Sequence, residues 1–216
     1  MLRTTAFSVL TLTAAGIIPS DEVHAADEDA QLWLSQSFSV PLAEDDVTGT
    51  LDLSQRVREN GNQLLSRGMA EFRLSKEAVV GGGAAYVETF DSTDEFRPHQ
   101  QLTLTFGMWS FRTRVEERFF EGADRMELRL RQKVTATWPL AKELKGSLAG
   151  ELLYTARSQT AGDDAHIDQW RATGALTYKL SPQIEGTAGY LIILSPRDGE
   201  EDKLSHVAQI SLTYRG

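Results

Sequence analysis

Arginine and glutamate alternate with largely apolar residues in one short segment of this 216-residue chain. Side chains along a β-strand point alternately to its two faces, so the segment from Phe111 to Phe119 predicts a strand with one charged face. That face carries Arg112, Arg114, Glu116 and Arg118. The arginine fork pairs with carboxylates through two parallel hydrogen bonds, and surplus arginine attracts anions. The segment therefore indicates either internal ion pairing or anion attraction.

Charged residues recur at the same spacing in other segments, and together they predict a shared charged lumen. The candidate residues are Arg73, Arg112, Arg114, Glu116, Arg118, Arg125, Glu127, Arg129, Arg131, Glu151 and Arg171. Two interpretations stay open: a network of Arg–Glu pairs that fills the interior, or a passage lined with arginine for anions. The first is favoured, because a barrel of about ten strands has little room left after such long side chains.

A hydrolytic site is the other chemistry that the residue types allow. Ser205 and His206 are adjacent, and His166, Asp163 and His99 fall near predicted connections. A nucleophile must lie within hydrogen-bond reach of a base that a third group orients, whereas neighbouring residues of a strand point to opposite faces. The sequence therefore predicts that the protein is not an enzyme. The alternative is a lipid-modifying hydrolase that acts at the external rim of the barrel.

Metals and cofactors have no recognisable motif. The chain contains no cysteine, which removes thiolate ligands and disulfides. Acidic connections such as Glu200 to Asp202 follow no ordered calcium-loop spacing. The glycines from Gly81 to Gly83 lie within a strand pattern that no helix follows, unlike a phosphate-binding loop. We expect no cofactor and no metal.

The elements that must position these residues are long alternating segments. The candidate strands are 31–41, 48–58, 64–75, 78–90, 97–109, 111–120, 125–138, 144–156, 167–180, 183–194 and 203–215. A tilted strand needs about 9–11 residues to cross a membrane, whereas strands of soluble proteins average about 5–6. Length and alternation together predict an all-β protein, a transmembrane antiparallel up-and-down β-barrel.

The connections between the strands alternate in length. Tight turns are predicted at 76–77, 110, 139–143 and 181–182, and longer polar connections lie between them. Because outer-membrane barrels have short periplasmic turns and longer external loops, this alternation predicts an orientation. Segment 31–41 is an eleventh candidate, although bacterial single-chain barrels have even strand numbers. We predict ten strands, with segment 31–41 as an extra piece, or alternatively twelve.

The beginning of the chain predicts export. Arg3 precedes an uncharged apolar stretch, and Val23 to Ala25 offers a cleavage site, so residues 1–25 are predicted as a signal peptide and 26–216 as one barrel domain. Cleavage after Ala26 is the alternative. The net charge of −9 argues against binding to nucleic acid. These features predict the outer membrane of a Gram-negative bacterium.

Several local signatures resemble an uncharacterised family of bacterial outer-membrane barrels, a domain-of-unknown-function family. They are Trp33-Leu34, the charged segment from Arg112 to Phe119, Arg125 to Leu130, Gly189-Tyr190 and the last alternating strand. The resemblance covers nearly the whole mature chain. It implies an outer-membrane barrel and carries over no catalytic residue.

The expected function is therefore a small barrel with an envelope role, either structural or as a restricted conduit, whose lumen is filled by an Arg/Glu network. The alternatives are the rim hydrolase and a soluble periplasmic ligand-binding barrel. The expected partners are outer-membrane lipid, lipopolysaccharide and the barrel-assembly machinery. We expect a monomer.

Overall fold

The computed structural model of the chain describes residues 27–43, 46–59, 61–90, 92–197 and 199–216. The predicted signal peptide lies outside these residues. The described strands are β1 (Asp27–Ala43), β2 (Val47–Val57), β3 (Gln63–Arg73), β4 (Ala78–Thr89), β5 (Glu95–Phe106), β6 (Trp109–Phe120), β7 (Glu127–Ala141), β8 (Leu144–Arg157), β9 (His166–Lys179), β10 (Ile184–Ser195) and β11 (Lys203–Arg215). Within the described ranges, no helix is long and apolar enough to span a membrane.

The strands close into one barrel in which each strand pairs with its neighbours in sequence and β1 pairs with β11. All neighbouring pairs are antiparallel except β1 and β11, which are parallel from Asp27↔Lys203 to Ser39↔Arg215. The predicted count of ten, or twelve, is therefore wrong for the described residues, which form eleven strands. Segment 31–41 is the middle of β1. An odd number of strands can close only when one adjacent pair is parallel, and β1 supplies that pair.

The two ends of the barrel differ in the length of their connections. At one end, here the short-turn end, the connections are 44–46, 74–77, 107–108, 142–143 and 180–183. At the other, the long-loop end, they are 58–62, 90–94, 121–126, 158–165 and 196–202. The predicted turn at Ser110 is wrong, because the chain reverses at Gly107-Met108 and Ser110 lies in β6. Gly107 has a φ of 58°, a left-handed conformation that glycine adopts without a steric penalty.

The outward face of the wall is apolar and the inward face is largely charged or polar. Leu102, Leu148, Leu176 and Ile210 are 41%, 59%, 52% and 55% exposed on the outside. Inward-facing residues of the same strands are buried, as in β5, where the alternating positions 95, 97, 99 and 101 are all below 9% exposure. This distribution is the reverse of a soluble protein, whose apolar side chains turn inward.

Glycines in β4 allow the backbones of β3 and β4 to approach closely. A Cβ atom on Gly83 would lie 2.0 Å from the carbonyl oxygen of Gly68, and one on Gly81 would lie 2.9 Å from the Glu71 side chain. β4 pairs in continuous register with β3 and with β5 through this stretch. Gly81 to Gly83 thus serve close strand packing, and they introduce no bulge that would shift the inward phase.

Candidate functional site

Glu116 lies at the centre of the interior and is 1% exposed. It projects inward from the middle of β6, whose alternation places every second residue in the lumen. Its Oε2 accepts hydrogen bonds from Arg129 Nη2 at 2.6 Å and Nε at 2.9 Å. Its Oε1 accepts one from Arg131 Nη1 at 2.9 Å, and Arg114 Nη1 is 3.6 Å away. One carboxylate therefore contacts three guanidinium groups on β6 and β7.

Glu151, on β8, extends this cluster toward the next strands. Its Oε1 accepts hydrogen bonds from Arg112 at 2.7 Å and from Arg131 at 2.8 Å. Arg171 on β9 approaches its Oε2 at 3.9 Å. Arg131 thus bridges the two carboxylates Glu116 and Glu151, and the ion pairs run continuously across β6, β7, β8 and β9.

A second group of ion pairs lies nearer the long-loop end. Glu95 accepts two hydrogen bonds at 2.6 Å from Arg97, and one at 2.6 Å and one at 2.9 Å from Arg118. Arg118 also donates to Glu127. Asp168 accepts a hydrogen bond from Arg129 at 3.1 Å. We call the two groups together the ionic network, which consists of Glu95, Arg97, Arg112, Arg114, Glu116, Arg118, Glu127, Arg129, Arg131, Glu151, Asp168 and Arg171.

Two of the residues predicted for the lumen lie outside this network. Arg73 is exposed at the short-turn end of β3. Arg125 is exposed in the connection before β7, where its guanidinium donates to the carbonyl oxygens of Ser158 at 2.8 Å and Thr160 at 3.1 Å. Arg125 therefore orders a long loop and does not enter the barrel. The other nine predicted residues belong to the network.

Sequence reasoning missed the contribution of β5. Glu95, Arg97, His99 and Gln101 all point inward and are at most 8% exposed. Gln101 accepts a hydrogen bond from Arg114 at 2.5 Å and donates one to Glu71 at 2.9 Å. The signal that could have found them is the alternation of the segment itself, in which Leu102 and Leu104 share the outer face and Gln101 lies on the other.

A cavity of about 440 Å³ lies beside the ionic network, and we call it the cationic chamber. Twelve basic and two acidic residues line it. The basic residues are Arg56, Arg58, Arg67, Arg97, Arg112, Arg114, Arg118, Arg129, Arg131, Lys133, Arg171 and Lys203, and the acidic ones are Glu95 and Glu151. The lining includes Arg58 and Lys203, so the chamber extends to the long-loop end.

Some cations of the chamber have no carboxylate partner within the described ranges. Arg56 and Lys133 form no ion pair there, although Arg67 pairs with Asp52 at 2.6 Å. The Arg56 guanidinium carbon lies 4.2 Å from the centre of the Trp33 ring, and its Nη1 reaches Gln63 at 3.4 Å. Burial lowers the pKa of the Arg58 guanidinium at the long-loop end. The β2 side of the chamber therefore carries buried positive charge, and its desolvation is unfavourable.

A second cavity of about 320 Å³ adjoins the chamber on the side of the β1–β11 seam. Five residues line both cavities: Trp33, Arg56, Leu65, Arg67 and Gln209. Small hydroxyl side chains line the second cavity, among them Ser35, Ser54 and Thr187. The interior is therefore packed with ion pairs from β5 to β9 and more open beside β1, β2 and β11.

Comparison with known proteins identifies the family of this chain. The family described as Protein of unknown function (DUF2490) matches residues 30–203, which is most of the barrel. The chain belongs to this family. An uncharacterised protein of Methylorubrum extorquens is 26% identical over 204 residues, which cover 87% of this chain and 88% of that protein. The resemblance drawn from the sequence signatures is thus confirmed.

In this DUF2490 member, the groups that suggested hydrolysis do not converge. Ser205 points inward and donates a hydrogen bond to Asp29 at 3.3 Å, whereas His206 is on the outer face and contacts the Tyr190 hydroxyl at 2.8 Å. His99 is 1% exposed inside the barrel rather than at the rim. Across the described ranges, no three acidic or histidine side chains form a metal-binding group.

Proposed function

We propose that this protein is a monomeric outer-membrane β-barrel of a Gram-negative envelope, exported by means of a signal peptide, residues 1–25, that is then cleaved. The observation that carries the proposal is the pairing of an apolar outer wall with a charged interior in a closed barrel. Only closed barrels and helices satisfy every backbone hydrogen bond within hydrocarbon. A soluble binding barrel has the opposite arrangement, with apolar side chains inside, so we do not propose it.

The aromatic residues support the same location. Trp109, Tyr178 and Tyr214 lie near the short-turn end and are 47%, 52% and 41% exposed. Phe119 and Trp170 lie near the long-loop end and are 46% and 47% exposed. Aromatic rings gather at the two interfaces of a bilayer, because one side of each ring favours hydrocarbon and the other favours water.

Within the membrane, the ionic network makes the barrel a structural element or a restricted conduit rather than an open pore. Its long side chains cross the lumen between β5 and β9 and are largely buried. We do not propose enzymatic activity, because the nucleophile and base candidates point to opposite faces of the wall. The proposed partners are membrane lipid and lipopolysaccharide at the outer face, and the barrel-assembly machinery during insertion.

Fractionation tests this proposal. The protein should remain with outer membranes through osmotic shock, dissolve only in detergent, and migrate faster on a detergent gel when it is not boiled. Heat-modifiable migration is expected because a closed barrel leaves no free strand edge at which detergent begins to unfold it. Release of the mature protein by osmotic shock without detergent would refute the membrane location.

A further inference from the structure

The cationic chamber has more positive charge than the ionic network needs. Its lining contains twelve basic residues but only two acidic ones. Several of the basic residues are paired with carboxylates that lie outside the lining, such as Glu116 and Asp52. Arg56 and Lys133 form no ion pair among the described residues, although Glu151 is the cross-strand neighbour of Lys133. Burying a cation without a counter-charge is unfavourable in free energy, so an anion bound in the chamber would stabilise these surplus cations.

Unsatisfied donors point to the same place. The Nε atoms of Arg56 and of Arg112 are buried and have no hydrogen-bond partner among the described residues. An unsatisfied buried donor costs about 1–3 kcal/mol, and more when it is charged. Native structures therefore rarely keep one without a ligand, an ion or a role. Both arginines line the cationic chamber.

Three cations of the chamber come from different strands, and one of them, Arg171, also approaches Glu151 at 3.9 Å. Arg56 is on β2, Lys133 on β7 and Arg171 on β9. The guanidinium carbons of Arg56 and Arg171 lie 4.2 Å and 5.8 Å from the centre of the same Trp33 ring. Two like charges brought to one indole repel each other, and an anion with several oxygens between them removes the repulsion. Guanidinium forks match the oxygens of phosphate in pairs.

The same chamber also has an apolar wall. Leu65, Leu191 and Ile193 line it and are 7%, 3% and 4% exposed. Its volume of about 440 Å³ is far more than the ~30 Å³ that one water molecule occupies in the liquid. It falls within the ~300–1,000 Å³ that is usual for small-molecule sites, which combine apolar walls with a few placed polar groups.

We propose that the cationic chamber binds a small organic phosphate that enters from the long-loop end. The phosphate group lies among Arg56, Lys133 and Arg171, and the organic part contacts Leu191 and Ile193. The phosphate headgroups of membrane lipids lie outside the wall, so the ligand is a diffusible solute. The site is a property of the folded barrel and does not depend on the membrane location proposed above.

Calorimetric titration of the full chain, purified in detergent at pH 8 and low ionic strength, tests the site with phenyl phosphate. We expect saturable binding that weakens as salt is added, because salt screens charge. Inorganic phosphate should bind more weakly, since it makes no contact with the apolar wall, and uncharged phenol should not bind measurably.

Lys133→Met and Arg56→Met should each weaken phenyl phosphate binding about tenfold or more. The matched control is Arg73→Gln, which removes the same charge from an exposed site outside the chamber and should leave binding unchanged.

The thermal unfolding midpoint separates a binding role from a structural one. Because neither Lys133 nor Arg56 forms an ion pair among the described residues, replacing either one should leave the midpoint without ligand unchanged or higher. Phenyl phosphate should raise the midpoint of the wild type and not that of either variant.

Absence of saturable binding to the folded wild type would overturn the proposal. Equal losses of phenyl phosphate affinity in Arg73→Gln and Lys133→Met would also overturn it. Failure of both chamber variants to fold would show that these cations are structural, and would also overturn it. Equal affinity for inorganic phosphate would overturn the assignment of an organic ligand.

Discussion

Replacing Glu116 with glutamine removes the negative charge at the centre of the ionic network and keeps the shape of the side chain. The carboxylate accepts three hydrogen bonds, two from Arg129 and one from Arg131. The carbonyl oxygen of a glutamine can replace one carboxylate oxygen as an acceptor. Its NH2 group replaces the other oxygen, and there its N–H donors face the N–H donors of a guanidinium. Hydrogen bonds to charged groups contribute about 1.5–3 kcal/mol each, and neutral ones about half as much. One lost bond and two weakened bonds predict a loss of about 3–5 kcal/mol in the free energy of unfolding, the range found when one partner of a buried pair is removed.

Glu185→Gln is the matched control, because it makes the same chemical change near the short-turn end. Glu185 pairs with Lys145 at 3.7 Å and with Arg215 at 3.3 Å, and these two partners are 59% and 63% exposed. Solvent screens such pairs, so the expected loss is about 1 kcal/mol or less. Urea unfolding of both variants, followed by tryptophan fluorescence and by gel migration, measures the two losses side by side.

Two results would refute the argument that Glu116 and its arginine partners are shielded from solvent and that no ion path runs through the barrel. The first is an equally small loss for Glu116→Gln and Glu185→Gln, which would mean that water and mobile ions screen the interior. The second is a steady, salt-dependent, anion-selective current through the wild-type protein in planar bilayers. We expect no measurable conductance from the wild type.

The remaining predictions concern the wall of the barrel. Leu102→Arg should destabilise the barrel by about 2–4 kcal/mol in a bilayer, because Leu102 is 41% exposed on the outer face of β5. Met108→Arg in the adjacent short turn should cost about 1 kcal/mol or less, and equal unfolding free energies for the two variants in lipid vesicles would contradict the lipid-facing assignment. Gly83→Ala should cost about 1–3 kcal/mol, since its Cβ would lie 2.0 Å from the Gly68 carbonyl oxygen. Gly68→Ala should be tolerated, because nothing lies within 4 Å of its Cβ, and a urea midpoint for Gly83→Ala equal to that of Gly68→Ala would show that the strand approach is not tight.

The alternation of polar and apolar residues along the chain was enough to predict most of the strands and the charged face. Ten of the eleven strands of the described structure begin and end within a few residues of predicted segments, and β1 extends the predicted segment 31–41 at both ends. This worked because the two faces of a strand are set by its own sequence, at a period of two residues. The phase of β6, with Arg112, Arg114 and Glu116 inward, needed no knowledge of neighbouring strands.

Strand pairing, by contrast, is a long-range property. Nothing in the alternation of β1 states whether its neighbour runs parallel or antiparallel, so the seam with β11 and the count of eleven came from the tertiary structure. The tertiary structure also placed His99 inside the barrel, where it is 1% exposed, and not at the predicted rim. Backbone geometry also placed Arg125 in a loop and left Arg73 exposed, although both fit the charge pattern.

The sequence by itself determined that arginine exceeds carboxylate on the inward face. It did not determine which arginines have partners, because an ion pair depends on side chains that meet across strands far apart in the chain. Glu116 pairs with Arg129 and Arg131 through the β6–β7 register, whereas Arg56 on β2 meets an indole and no carboxylate among the described residues. Only closure of the barrel decided that Arg56 and Lys133 line one chamber, since closure brings β2 and β7 around a common interior.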